Sequence, residues 1–132
     1  MLRDGPIPRF AHGIAEYVGG GLMVAAPFVL DFDSGAATAV AVVVGVLVIG
    51  LAASTDGPTS LVNSVQLQLH VLLDYLLAAL LIASPFVFGF SGETEPTAFF
   101  IAVGVVHLLI TIGTRFRRRE PPPEPAPERE RA

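Results

Sequence analysis

The sequence contains no cysteine, lysine or tryptophan, and no arginine between positions 10 and 114. The missing cysteine excludes disulfides, iron–sulfur clusters and thiolate zinc sites. Only 15% of the residues are charged, whereas a soluble domain carries about 25%. A soluble surface with so long a stretch free of basic residues would be hard to keep in solution. The middle of the chain is therefore predicted to lie in a bilayer.

All eight basic residues are arginines near the two ends of the chain, and the net charge is −4. This balance does not favour nucleic-acid binding. The absence of lysine beside many alanine, valine, glycine and arginine residues favours a prokaryotic source.

The stretch 12–32 recurs at 70–90, shifted by 58 positions, with eight identities in 21 positions. Glu16 is replaced by Asp74, which keeps the charge. The chain is therefore predicted to be a duplicated unit. The identical positions in the first copy are His12, Tyr17, Leu22, Ala25, Pro27, Phe28, Val29 and Phe32.

A membrane-spanning helix needs about 20 mostly apolar residues. Four stretches meet this need, at 10–30, 35–53, 71–90 and 97–114. The first is the weakest, and it has the outline of a signal peptide, but its counterpart at 70–90 favours a retained helix. The predicted fold class is an all-α membrane protein with four transmembrane helices, arranged as two parallel two-helix repeats.

Arginine placement predicts the orientation, since short cytoplasmic segments collect basic residues. We expect both termini of this multi-pass protein on the cytoplasmic side of the cell membrane. The cluster expected to meet anionic headgroups is Arg115, Arg117, Arg118 and Arg119. The predicted segments are an N-terminal segment 1–9, a first repeat 10–53, a cytoplasmic linker 54–69, a second repeat 70–115 and a disordered tail 116–132.

Two histidine–carboxylate pairs fall at the beginnings of the first and third predicted spans. His12 and Glu16 are four residues apart, as are His70 and Asp74, so each pair shares one face of its helix. The favoured interpretation is that both carboxylates stabilise helix N-termini at the interface and reach headgroups and water. The alternative is a proton, cation or metal site, and a metal site requires the twin helices to face each other. The sequence alone therefore assigns no metal and no cofactor.

Three further features have both a structural and a functional interpretation. For His107, a neutral imidazole bonded to a neighbouring helix is favoured over a proton relay. For Pro27 and Pro85, a shared structural turn is favoured over a gating hinge, with Phe28 packing on Phe32 and Phe86 on Phe90. Small residues at fourfold spacing predict close helix packing, in the sets Ala37, Ala41 and Gly45; Gly21 and Ala25; Ala79 and Ala83; Ala98 and Ala102.

The repeated proline motif carries a family resemblance. It consists of Ser84, Pro85 and Phe86, with a weaker echo in Ala26, Pro27 and Phe28. Over about residues 10–115 the chain resembles the SPW-repeat family, small prokaryotic membrane proteins with a Ser-Pro-Trp motif in the first helix of each two-helix repeat. Phenylalanine stands at both tryptophan positions of this chain. The resemblance implies a fold and a membrane location, and no activity.

No nucleotide-binding loop, zinc-protease motif or nucleophile elbow is present in the sequence. The leading hypothesis is a non-enzymatic membrane protein, an assembly or accessory component partnered by the bilayer and by a second copy or another membrane protein. The alternative is a channel or transporter subunit that uses Glu16, Asp74 and the histidines for protons or cations. A membrane enzyme ranks third. Convergence of Glu16, Asp74 and His107 on an interior site would support the alternative.

Overall fold

The structure is a computed structural model that describes residues 5–117. These residues form four helices, α1 (Arg9–Val29), α2 (Gly35–Ser54), α3 (Leu67–Val87) and α4 (Thr94–Gly113). The all-α class is therefore confirmed for the described part of the chain. Helix α3 begins at Leu67, earlier than the predicted start of the second repeat at 70. Most of the predicted tail, with Arg118 and Arg119, lies outside the described residues.

Three of these helices, α2, α3 and α4, are long and apolar enough to cross a membrane. Helix α1 has the same length as α3, 21 residues. Helix α1 is less apolar because it contains His12, Glu16 and a run of glycines. It is therefore not among the helices that are apolar enough to cross a membrane by this criterion.

The helices pack mainly as two sequential pairs, α1 on α2 and α3 on α4. In the first pair the backbones nearly touch, because a methyl group at Gly45 would lie 2.7 Å from the carbonyl oxygen of Gly20. In the second pair, a methyl group at Gly104 would lie 3.0 Å from Cβ of Leu81. Glycine permits such approaches between helices in lipid, where burial of apolar surface gives no drive to associate.

Only some of the predicted sets of small residues, hereafter called stripes, lie in these helix–helix contacts. Ala37 and Ala41 of the α2 stripe are fully buried in the core. Members of the other stripes face outward, since Gly21, Ala25, Ala79, Ala98 and Ala102 are exposed. Close packing of these three stripes within the bundle is therefore wrong, because a spacing of four residues marks a helix face without showing which face meets a neighbouring helix. Packing of these faces against a second copy stays a prediction.

Helices α1 and α3 end in the same kind of turn. The N–H of Phe32 donates to the Pro27 carbonyl at 3.0 Å, and the N–H of Phe90 donates to the Pro85 carbonyl at 2.9 Å. The preceding residue is left-handed in both turns, with φ of 50° at Asp31 and 77° at Gly89. This is the Schellman arrangement that satisfies the last carbonyls of a helix.

The turns set the direction of the phenylalanines. Phe90 is buried and Phe32 packs against the core, whereas Phe28 and Phe86 are 69% and 65% exposed. The predicted packing of Phe28 on Phe32 and of Phe86 on Phe90 is wrong, because the left-handed residue reverses the chain and turns the later ring inward.

Short extended segments connect the two helix pairs at one end. The Ile7 N–H donates to the Gly113 carbonyl at 2.9 Å, at the end of α4. The Val65 N–H donates to the Ser54 carbonyl, also at 2.9 Å, at the end of α2. The segment that precedes each odd-numbered helix is thus bonded to the other pair, which brings the beginnings of α1 and α3 together.

Candidate functional site

The beginnings of α1 and α3 enclose a buried cluster of two histidines and two carboxylates. His12 and Glu16 come from α1, and His70 and Asp74 come from α3. Glu16 is 5% exposed and Asp74 is 0% exposed. The twin helices therefore face each other with their polar sides, which is the condition that the sequence left open.

The carboxylates alternate with the imidazoles around the cluster. Oδ2 of Asp74 lies 3.2 Å from Nε2 of His12 and 3.3 Å from Nε2 of His70. Oε1 of Glu16 lies 3.1 Å from Nε2 of His70 and 3.7 Å from Nε2 of His12. Each carboxylate thus contacts one histidine of its own helix and one of the opposite helix.

The expectation that these carboxylates reach headgroups and water is wrong, because both are buried. Nor are they in the first turn, where the helix dipole acts most strongly, since neither α1 nor α3 has an acidic residue there. Spacing along the sequence gives the depth of a side chain but not the direction that the helix turns it.

Two threonines orient the histidines from behind. Oγ1 of Thr114 lies 2.9 Å from Nδ1 of His12, and Oγ1 of Thr55 lies 2.7 Å from Nδ1 of His70. Each hydroxyl donates its single proton to the carbonyl four residues earlier, Ile110 or Leu51. It must therefore accept from the imidazole, so Nδ1 carries a proton and Nε2 faces the carboxylates.

The threonine contacts cross between the helix pairs. Thr55 follows α2 and supports the histidine of α3, whereas Thr114 follows α4 and supports the histidine of α1. The sequence interpretation missed both residues. Their separation of 59 positions, close to the repeat offset of 58, is the signal that would have found them.

His107 of α4 is a fifth member at the edge of the cluster. Its Nε2 lies 3.6 Å from Oδ1 of Asp74, beyond hydrogen-bond distance. The position 59 residues earlier is Val48. Glu16, Asp74 and His107 therefore converge on one interior site, and of the two carboxylates only Asp74 lies near His107.

Four buried side-chain atoms of this cluster have no hydrogen-bond partner among the described residues. They are Nε2 of His12, Oδ1 and Oδ2 of Asp74, and Nε2 of His107. Buried polar atoms are nearly always paired. These atoms instead point at one another, so the cluster has unused coordination capacity.

Loops and one aromatic ring cover the cluster. Phe116 packs edge-on against His12, with ring centroids 5.2 Å apart, and the Tyr17 hydroxyl donates to the Thr59 carbonyl at 3.0 Å. A space of about 30 Å³ remains between these loops and the cluster, enough for about one water molecule. On the other side, an apolar cavity of about 380 Å³ between α1 and α4 reaches His12, Glu16 and His107.

Comparison with protein families tests the resemblance to the SPW-repeat family that the proline motif suggests. The model of the SPW repeat domain matches residues 9–114, which include all four helices. The chain belongs to the SPW repeat family. Comparison with curated proteins and with solved structures gives no match. The family and the three membrane-compatible helices indicate a small membrane protein.

The family motif has distinct inward and outward positions in this SPW repeat protein. Ser84 is fully buried and its hydroxyl donates to the Leu80 carbonyl at 2.7 Å. Phe86, at the tryptophan position, faces outward, as does Phe28. The arginine cluster is described only at Arg115 and Arg117, which are both exposed.

Proposed function

We propose that this SPW repeat protein is a non-enzymatic, multi-pass component of the cell membrane that serves as an assembly or accessory subunit. All four helices span the bilayer as two parallel two-helix repeats, related by a pseudo-twofold axis along the membrane normal. Both termini lie in the cytoplasm. The observation that carries this proposal is that the polar cluster is buried at one end of the bundle and that the interior beyond it is apolar.

The outward face of α1 supports a fourth span. Its polar residues His12 and Glu16 turn inward to the cluster, while its exposed large side chains are apolar and recur every four residues. They are Phe10, Ile14, Val18 and Leu22. A helix with a continuous apolar face toward lipid and its ionisable groups toward the bundle is suited to a membrane.

The interior beyond the cluster supports an accessory role over transport. Met23, Leu81 and Phe100 fill it and are essentially fully buried. The Ser84 hydroxyl is bonded within its own helix. A proton or cation path needs polar groups or water along its length, and these side chains supply neither.

Topology reporters test the membrane arrangement. A reporter fused after Arg119 is expected to give a cytoplasmic signal, and one inserted at 91–97 is expected to give an external signal. The reason is the confinement of arginine to the two ends of the chain. An external signal from the fusion after Arg119 would contradict the orientation.

The alternative function is a channel or transporter subunit for protons or cations, and the convergence of Glu16, Asp74 and His107 favours it. Proteoliposomes containing purified protein distinguish the two. The accessory role predicts proton and cation flux no higher than in protein-free vesicles. Flux that is present in the wild type, lost in Glu16→Gln/Asp74→Asn and kept in the exposed control Glu95→Gln would establish the alternative.

A further inference from the structure

We propose that His12, Glu16, His70 and Asp74 form a binding site for one divalent first-row transition metal ion, with Zn²⁺ the best fit. The ion would join α1 to α3. This inference concerns the cluster itself and does not depend on the number of spans or on an accessory role.

The distances in the cluster match those between ligands around a metal. Four atoms placed tetrahedrally at zinc-ligand distances of about 2.0–2.1 Å lie about 3.3 Å from one another. Four of the six pairs of ligand atoms are imidazole–carboxylate pairs, and the atoms of these pairs lie 3.7, 3.2, 3.1 and 3.3 Å apart. All four ligand atoms lie within 4.8 Å of one another.

Most of these contacts are longer than those of a hydrogen-bonded ion pair, in which charge-assisted N–H···O contacts are about 2.7–2.9 Å long. The two shortest of the four distances, 3.1 and 3.2 Å, fall at the long end of the ordinary hydrogen-bond range, and the other two exceed it. Nε2 of His12 and both oxygens of Asp74 also fail to form hydrogen bonds with the described residues. Lone pairs that converge without an intervening proton are the arrangement that a cation completes.

The donor set selects the class of ion. Two imidazole nitrogens and two carboxylate oxygens suit Zn²⁺ and its neighbours, whereas Ca²⁺ and Mg²⁺ prefer oxygen ligands alone. Two carboxylates beside neutral imidazoles carry a charge of −2, which one divalent ion balances. Two protonated imidazoles would also balance it, but each would then carry an N–H on Nε2 and donate it to a carboxylate, which Nε2 of His12 does not do.

The surroundings of the four ligands resemble those of a metal centre. Metal-binding histidines usually donate their second ring N–H to a fixed acceptor, which orients the ring. Thr114 and Thr55 provide this acceptor for His12 and His70. A space of about 30 Å³, lined by Thr55, Thr59 and Phe116, adjoins the ligands.

Such an ion would connect two helix pairs whose helices pack only sparsely against each other. Packing is dense within α1–α2 and within α3–α4, and sparse between α1 and α4. Two of the ligands come from each pair, so binding would fix the α1–α3 contact.

Metal analysis of the full chain tests the proposal. The protein is purified in detergent without a polyhistidine tag, stripped with a chelator and titrated with Zn²⁺ against a chromogenic competitor. We expect one Zn²⁺ per chain, and Co²⁺ in its place should give the visible absorption of a tetrahedral nitrogen–oxygen site. No stoichiometric binding by the wild type would overturn the proposal.

Matched variants assign the ligands. Glu16→Gln/Asp74→Asn should abolish stoichiometric binding, while the exposed control Glu95→Gln should bind like the wild type. Thr55→Val and Thr114→Val should each weaken binding by about 10–100-fold, as loss of a supporting contact does. Equal affinity in the wild type and the double variant would overturn the proposal. If the double variant does not elute as a folded protein, the two threonine variants and the Co²⁺ spectrum of the wild type decide.

Discussion

The first helix pair, α1 and α2, resembles the second pair, α3 and α4, in the residues at the helix ends. The two pairs differ in the residues along the helices. Both odd-numbered helices begin with a histidine–carboxylate pair and end in a proline-containing Schellman turn. Both even-numbered helices are followed by a threonine that supports a histidine of the other pair. The retained features are those through which the pairs contact each other, so each pair depends on the other for its polar site.

The differences lie where each pair packs within itself or toward lipid. The Gly20–Gly45 approach of the first pair corresponds to Ala78 and Gly104 in the second. Val48 corresponds to His107, which makes the cluster asymmetric, because Asp74 contacts three histidines and Glu16 contacts two.

The two lateral grooves show the same asymmetry. The cavity between α1 and α4 reaches the cluster through His12, Glu16 and His107. The groove between α2 and α3, of about 700 Å³, is lined mainly by leucine and valine and contains no member of the cluster.

The largest expected loss of stability comes from removing the charge of Asp74, and it should exceed the loss from removing the charge of Glu16. Asp74→Asn removes a fully buried carboxylate that faces three histidines. In the zinc-loaded protein it removes one of the two negative charges that balance the buried ion, so we expect a loss of about 3–5 kcal/mol in the free energy of unfolding. Glu16→Gln should cost less, because Glu16 contacts two histidines and one of these contacts is 3.7 Å long. Thermal unfolding in one detergent measures both variants.

Glu95→Gln serves as the control for these carboxylates, since Glu95 is exposed. It should lose no more than about 0.3–1 kcal/mol, the contribution of a carboxylate in the first turn of a helix. Equal losses from Glu16→Gln and Asp74→Asn would show that the third histidine does not distinguish the two halves.

The next effect concerns the helix contacts. Gly45→Ala pushes a methyl group against the Gly20 carbonyl, which cannot move without its helix, so we expect a loss of about 1–3 kcal/mol. Gly104→Ala should cost less, because the nearest backbone atom to a methyl group there, N of Ile82, is 3.1 Å away, against 2.7 Å for the Gly20 carbonyl oxygen at Gly45. Gly50→Ala is the control, since no atom lies within 4 Å of a methyl group there. A larger loss from Gly104→Ala than from Gly45→Ala would reverse the comparison.

These cases show what the sequence can and cannot predict. The four helices follow from apolar runs, and the sharing of one face by His12 and Glu16 follows from helical periodicity. The start of α3 at Leu67 was missed because Gln66 and Gln68 give no apolar signal there. The convergence of His12 on Asp74 depends on how two helices are rotated against each other, which single-helix spacing does not contain.

A smaller effect compares the left-handed residues of the two Schellman turns. Gly89→Ala should cost about 1–2 kcal/mol, since a Cβ is unfavourable in the left-handed region. Asp31→Gly should stay within about 0.5 kcal/mol of the wild type, because this exposed position already carries a residue that tolerates the conformation. Thermal unfolding under one set of conditions measures both. A larger change from Asp31→Gly would contradict the equivalence of the two turns.

The smallest expected effect comes from making the second half resemble the first with His107→Val. Because Nε2 of His107 lies 3.6 Å from Oδ1 of Asp74, it forms no hydrogen bond whose loss would be large, and we expect a change of about 0.6 kcal/mol or less in the free energy of unfolding. Zn²⁺ stoichiometry should remain one per chain, since both ligand pairs are intact. His107→Gln, which keeps a polar side chain, is the matched control. Loss of Zn²⁺ in both variants would show that His107 is a ligand and that the cluster is an asymmetric five-residue site. Loss in His107→Val alone would show that a polar group at position 107 positions Asp74.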